Sequence, residues 1–317
     1  MYKHIVLLHC FILKMAISFA GVAQDTSFTE LPQVLKTSTG DITGTLTIPR
    51  KSERIPIALI IAGSGPTDRD GNNPFMKNDC LKQLAHALAA HNIASLRYDK
   101  RGIAQSKGAG KNEADLRFDD YVYDAAQWIK LLKDKKLYTQ IIVVGHSEGS
   151  LIGMIAGRNA DKFVSVAGAG QSADKILKEQ LGSQLKVIQD TSSAIIDTLK
   201  SGRLAGHVNP ILNSLFRPSV QPYLISWFRY DPQEEIKKLQ IPILILQGTN
   251  DIQVSIEDAK RLKAANPNSK LVMLPHVNHI LKKVTGDKQE NIKTYNNSQL
   301  PIDEELVANI VSFIWAK

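Results

Sequence analysis

Residues 141–149 read IIVVGHSEG, four β-branched apolar residues running directly into a Gly-x-Ser-x-Gly pentapeptide. The pentapeptide alone carries little information, because serine between glycines is common in loops and ahead of helices. Its surroundings carry more. The apolar run is short, β-branched and closed by glycine, which is how a strand buried on both faces reads. The residues after it, SLIGMIAGRNA, continue at helical spacing. A serine at such a strand-to-helix turn is held in an unfavourable backbone conformation with its hydroxyl exposed at the end of the strand. The turn leaves no room for side chains two residues to either side, which gives Gly145 and Gly149 a steric purpose. Gly153, Ala156 and Gly157 then let the helix lie close to the sheet. The other use of a serine here is to cap the helix with its hydroxyl; the flanking glycines favour a nucleophile.

Outward from this point the same alternation recurs. Apolar runs followed by glycine- or proline-containing loops occur at 55–63 (IPIALIIAG), 93–102 (IASLRYDKRG), 163–170 (FVSVAGAG), 242–248 (PILILQG) and 270–275 (KLVMLP). Helical periodicity falls near 78–91, 118–133 and 255–265, and in the C-terminal EELVANIVSFIWAK. Such alternation predicts βαβ units on a parallel sheet, an α/β fold. Segments near 33–39 and 42–48 instead alternate apolar and polar residues around a turn at Gly40–Asp41, as an antiparallel hairpin at a sheet edge does. Residues 171–240 hold no β-branched run, only helical stretches and the aromatic cluster PYLISWFRYDP. A structureless loop of that length is uncommon, so a helical insertion over the sheet is expected.

The chain has 317 residues, 43% hydrophobic and 22% charged, which excludes a disordered chain and a polytopic membrane protein. At its start, MYKHIVLLHCFILKMAISFAGVAQ sets Lys3 before an apolar run and ends in small residues, Gly21 and Ala23. This is the layout of a signal peptide, residues 1–23, with a mature domain at 24–317 exported to the periplasm or beyond. Lys14 interrupts the run and leaves it short of the about 20 apolar residues of a spanning helix, so no membrane span is expected after cleavage. His9 stands where a lipoprotein cut before Cys10 wants a small residue. Without Cys10 the mature chain keeps Cys80 alone, forms no internal disulfide, and buries Cys80 as an apolar residue. The formal net charge is +8. Its lysines are dispersed and no basic block is interleaved with aromatics, so a solvated surface is expected rather than nucleic-acid binding.

A serine hydroxyl attacks at neutral pH only with a histidine base that a carboxylate orients. In a parallel sheet these groups come from loops at the carboxyl ends of strands. Asp251 in QGTND follows PILILQ, and His279 in PHVNH follows KLVMLP. The chain order Ser147, Asp251, His279 is the one such a nucleophile turn uses. His276 is a competing base, and His276-x-x-His279 could also be a metal pair, but no obvious third ligand is near; His276 follows the strand immediately, whereas His279 has the loop length to reach back and is favoured. The oxyanion formed by attack needs two backbone donors. One is the amide of Glu148; the other falls in the loop AGSGPTDRDGN, at Ser64 first and Gly65 next. The nucleotide-binding glycine spacings are absent from that loop.

With GTLTIP, AGSGPTDRDGN, RYDKRGIAQSKG, GHSEG, QGTND and PHVNHIL, the sequence resembles the α/β-hydrolase superfamily over roughly residues 33–316. It is most similar to bacterial carboxylesterase-like members with a GSGPxDRDGN loop. The resemblance implies an α/β-hydrolase fold with a mostly parallel sheet, helices on both faces and a helical lid at 171–240. It also implies a triad on Ser147, Asp251 and His279 and oxyanion donors on Ser64 and Glu148. Ala104 departs from the pattern where RGxGxS has a second glycine, and His276 departs where a glycine is frequent.

The activity expected is hydrolysis of a small-molecule carboxylic ester through an acyl-enzyme, without metal or organic cofactor. A serine peptidase or aminopeptidase, a thioesterase, and a non-catalytic binding protein remain open on the same fold. Glu234 and Glu235 are the adjacent acids near the insertion that a peptidase would aim at a substrate amine. Asp68, Arg69 and Asp70 either line the acyl or leaving-group pocket or form ion pairs that hold their loop, the second being favoured; Asp99–Gly102 also reads as loop scaffolding. Tyr223, Trp227 and Phe228 suggest a partly apolar pocket. The oligomeric state and the purpose of the Glu148 side chain are not legible.

Overall fold

The computed structural model describes residues 28–50, 54–110 and 112–316; the expected signal peptide at 1–23 lies outside them. The strands are β1 (Phe28–Thr37), β2 (Gly40–Pro49), β3 (Ile57–Ile61), β4 (Ala94–Tyr98), β5 (Ile141–His146), β6 (Lys162–Val166), β7 (Ile243–Gly248) and β8 (Lys270–Leu274). They form one sheet in the order β1-β2-β4-β3-β5-β6-β7-β8. β1 and β2 are an antiparallel edge hairpin, β2 lies antiparallel to β4, and the strands from β4 onward in that order are parallel. The hairpin reverses at Ser38–Thr39, between the end of β1 and the start of β2, not at Gly40–Asp41. Gly40 is instead the first residue of β2, needed for contact, since a Cβ there would stand 2.7 Å from the Gly108 carbonyl oxygen.

The helices are α1 (Cys80–Ala90), α2 (Phe118–Asp134), α3 (Glu148–Ala156), α4 (Ala173–Leu181), α5 (Lys186–Lys200), α6 (Asn213–Phe216), α7 (Gln221–Trp227), α8 (Pro232–Lys237), α9 (Ile256–Ala265), α10 (Lys288–Thr294) and α11 (Glu304–Trp315). Every residue of β3 and β5 is buried. Alternate residues of a strand face opposite sides. Ile57, Leu59, Ile61, Ile141 and Val143 join a core with α2, α3 and α9. Ala58, Ile60, Ile142 and Val144 join a second core with α1 and α11. Burial on both faces is why these strands read as continuous apolar runs. Cys80 is free and buried in the second core.

Residues 171–240 form α4 to α8 between β6 and β7. Their aromatic cluster fastens the segment to α2. The Phe118 and Trp227 rings stack at 6.0 Å with 7° between planes, and the Tyr223 and Tyr230 rings pack on Phe118 as well. The Phe118 N–H donates to Ser226 Oγ at 2.8 Å, and Phe228 is buried. Helix α10 escapes a periodicity reading because Asn291 is its one buried residue; Asp287 starts it by accepting from the Gln289 and Glu290 N–H groups. No helix among the described residues is long and apolar enough to cross a membrane.

Candidate active site

The turn between β5 and α3 puts Ser147 at φ 56°, ψ −122°. That region disfavours any residue with a Cβ, and holding one there costs about 1–3 kcal/mol. The surroundings enforce it. A Cβ on Gly145 would come within 2.3 Å of the Gly149 carbonyl oxygen, and one on Gly149 within 2.2 Å of the Ile61 carbonyl oxygen. The Ser147 N–H donates to the Val166 carbonyl at 3.0 Å, its carbonyl accepts from the Ser150 N–H at 2.9 Å, and its side chain makes no capping bond to α3. The hydroxyl is therefore not consumed by the helix start. Ser147 keeps partial exposure between buried neighbours.

Two loops at the same sheet edge bring in Asp251 and His279. His279 Nδ1 lies 2.8 Å from Asp251 Oδ2, with 5% and 1% of the side chains exposed. Asp251 also accepts from the Gln253 and Val254 N–H groups at 2.7 and 2.9 Å and from Gln247 Nε2 at 3.2 Å. Burial alone would raise the Asp251 pKa, but the His279 imidazole and the two backbone donors outweigh it and hold the carboxyl below its usual range. Asp251 is thus an anion that accepts the Nδ1 proton and leaves Nε2 as the basic nitrogen.

The two loops are knit together. A Cβ on Gly248 would come within 2.1 Å of the Val277 carbonyl oxygen. The Thr249 N–H donates to the Leu274 carbonyl and the Asn250 N–H to the Val277 carbonyl, both at 3.0 Å. His276 sits exposed on the turn at φ 63°, its N–H donating to Thr249 Oγ1 at 2.8 Å, while Asp251 pairs with His279. The second imidazole beside His279 is instead His146, with ring centroids 4.9 Å apart. His146 Nε2 donates to the His279 carbonyl at 2.8 Å. Burial, and then the neighbouring His279, lower the His146 pKa to about 4, so it is neutral. Sequence reasoning leaves His146 an unassigned residue of the pentapeptide; its place directly before Ser147 is the signal that could have found it.

The loop after β3 lies against the turn, since a Cβ on Gly63 would stand 3.1 Å from the Ser147 Cβ. Ser64 is exposed, and its carbonyl accepts from Thr67 Oγ1 at 2.8 Å. Neither the Ser64 nor the Glu148 N–H has an acceptor among the described residues. The charges of this loop are held elsewhere. Arg69 bonds Asp99 at 2.6 Å, Asp70 bonds Arg97 at 2.7 Å, and Asp68 Oδ1 accepts from the Asp70 and Asn72 N–H groups. Arg101 pairs with Asp124 at 2.6 Å. Lys100 is different: it reaches Glu148 and the Gly63 carbonyl, a contact no spacing in the sequence announces. Glu234 pairs with Lys237 at the surface, and buried Glu235 with Arg158 and Lys238. No group of three or more His, Cys, Asp or Glu side chains among the described residues is placed to hold a metal.

The family described as serine aminopeptidase, S33, matches residues 77–207, less than half of the chain. Esterase EstD of Thermotoga maritima is 27% identical over 255 residues, which are 75% of this chain and 57% of that protein. Among solved structures, Est1E of Butyrivibrio proteoclasticus superposes with a TM-score of 0.58 at 17% identity, over 90% of this chain and 99% of its own. A Pyrococcus furiosus esterase, Pf2001, gives 0.54 at 14% identity, over 91% and 92%. Sheet order, helix placement and these likenesses agree that this chain has the α/β-hydrolase fold.

Proposed function

We propose that this protein is a serine hydrolase that cleaves carboxylic esters of small molecules through an acyl-enzyme. The observation that carries the reading is an uncapped, strained Ser147 directly after His146, whose ring bonds the His279 carbonyl, together with the buried 2.8 Å Asp251–His279 pair. Ser147 Oγ attacks the carbonyl carbon and its proton passes to His279 Nε2. The oxyanion accepts from the Ser64 and Glu148 N–H groups. Collapse breaks the bond to the alkoxy oxygen, which leaves as alcohol with the proton from His279. Water then attacks the acyl-enzyme, gives its proton to Nε2, and collapse releases the acid and restores Ser147. Asp251 fixes the imidazole tautomer and stabilises the imidazolium throughout. Relatives named as esterases support the ester as substrate, and a leader at residues 1–23 would place the mature chain outside the cytoplasm.

The wild-type protein is expected to release a burst of p-nitrophenol from p-nitrophenyl acetate. Persistence of that burst in Ser147→Ala overturns the assignment. An aminopeptidase reading follows from the family matched at 77–207. Against it, both acids that could hold a substrate amine are ion-paired. Turnover of aminoacyl p-nitroanilides faster than of acyl p-nitrophenyl esters would establish it.

A further inference from the structure

Lys100 lies in the loop after β4 and is 1% exposed, with the Glu148 side chain, 2% exposed, at 2.9 Å. Its ammonium also donates to the Gly63 carbonyl at 2.5 Å and sits 4.9 Å over the Tyr121 ring. The second carboxylate oxygen of Glu148 accepts from the Tyr223 hydroxyl of α7. Burial, and then the facing Glu148, push the Tyr223 phenol well above its ordinary pKa, so its O–H remains a donor. A buried chain therefore runs from the 171–240 segment through Glu148 and Lys100 to the loop after β3. Burying an ammonium and a carboxylate is costly even when paired, and packing alone does not require them here.

The Gly63 carbonyl and the Ser64 N–H belong to one peptide unit. Such a unit is planar, and the described residues contain no cis bonds, so its C=O and N–H point in opposite directions. Whatever fixes the Gly63 oxygen fixes the direction of the Ser64 N–H. The other donor, the Glu148 N–H, belongs to the residue whose side chain holds the same ammonium.

We infer that Lys100 is a positioning residue that aims the Ser64 N–H at the oxyanion, and that Tyr223, through Glu148, ties this aim to the seating of α7. The inference rests on the esterase reading of Ser147, Ser64 and Glu148. It makes the segment over the sheet part of the catalytic geometry rather than a cover alone.

The test compares wild type, Ser147→Ala, the double variant Lys100→Met/Glu148→Gln and Tyr223→Phe on p-nitrophenyl acetate, with an arylboronic acid as the tetrahedral serine adduct. The double variant removes both charges together, so no buried ion is left alone, and it keeps the residue-148 N–H. It is expected to lower kcat at least about tenfold, since one oxyanion donor is worth about 10²–10³. KM should move less than about threefold, and boronate affinity should fall in step with kcat/KM. Tyr223→Phe, which deletes one hydroxyl, is expected to lower kcat severalfold with the same split, and it carries the test if the double variant fails to fold. An unchanged kcat in the folded double variant, or a loss of kcat that leaves boronate affinity intact, overturns the inference. If only Tyr223→Phe folds, its unchanged kcat does so. Inactivity of wild type, or full activity of Ser147→Ala, instead defeats the esterase reading beneath it.

Discussion

Ser147 and Ala104 are both side-chain-bearing residues at positive φ, 56° and 43°, each in the loop that follows a parallel strand. Their surroundings differ. Ser147 is clamped by two glycine contacts shorter than any Cβ could fit and by the hydrogen bond from its N–H to Val166. Ala104 is exposed, and its conformation follows from its neighbours: the Gln105 N–H donates to Asp99 at 3.0 Å and the Gly102 N–H to the Ser106 carbonyl at 3.1 Å. The first strain aims a hydroxyl; the second aims nothing. A resemblance that marks position 104 as usually glycine thus points to a backbone requirement, which alanine meets under strain.

Glycine at each site separates the two cases. Ser147→Gly should lower kcat/KM for p-nitrophenyl acetate by about 10⁴-fold or more. The same change should raise stability by about 1 kcal/mol in denaturant unfolding, because the strain is relieved. A variant that loses both activity and stability would show that the turn carries no strain. Gly149→Ala attacks the clamp instead, forcing a methyl against the Ile61 carbonyl. A loss of about 3 kcal/mol is expected, measured as a drop in unfolding midpoint.

His146 makes the neighbourhood of Ser147 pH-sensitive. Its pKa of about 4 in the fold lies below the ordinary 6.5, so from pH 6.5 down to about 4 the unfolded chain takes up a proton that the folded chain does not. Stability contributed by this residue is full above pH 6.5 and lost as pH falls to about 4, by about 3 kcal/mol in all. Urea titrations of wild type and His146→Asn across that window should differ in slope, the variant being flatter; parallel curves would reject the role. The smallest effect is expected from Ala104→Gly, which should add about 1 kcal/mol of stability and leave ester turnover within about twofold.

Most of the sheet is legible in the sequence because its strands are buried on both faces and so announce themselves as apolar runs. Ser147, Asp251 and His279 are legible as positions, since strand ends fix where such loops emerge. Contacts that cross from one loop to another are not. Lys100 sits in a charged stretch like its neighbours Asp99 and Arg101, and only coordinates separate its bond to Gly63 from their scaffolding pairs. Tyr223 and Trp227 are legible as aromatic but not as fasteners, because apolar clusters over a sheet can face a pocket or a neighbouring helix. The hairpin reverses two residues earlier than a turn reading of Gly40 places it; that glycine, at φ 137°, directly follows the reversal and lies close against Gly108.

The interlocked loops after β7 and β8 have a mechanical meaning. With Gly248 pressed on Val277 and His146 tethered to the His279 carbonyl, the Asp251–His279 pair and the Ser147 turn are held to one another through backbone contacts. On the proposed ester chemistry, adaptation to different acyl groups then has to come from elements outside these contacts. On the same reading, changes in the 171–240 segment that spare Tyr223 and its bond to Glu148 can retune what is admitted while the bond-breaking groups stay in place.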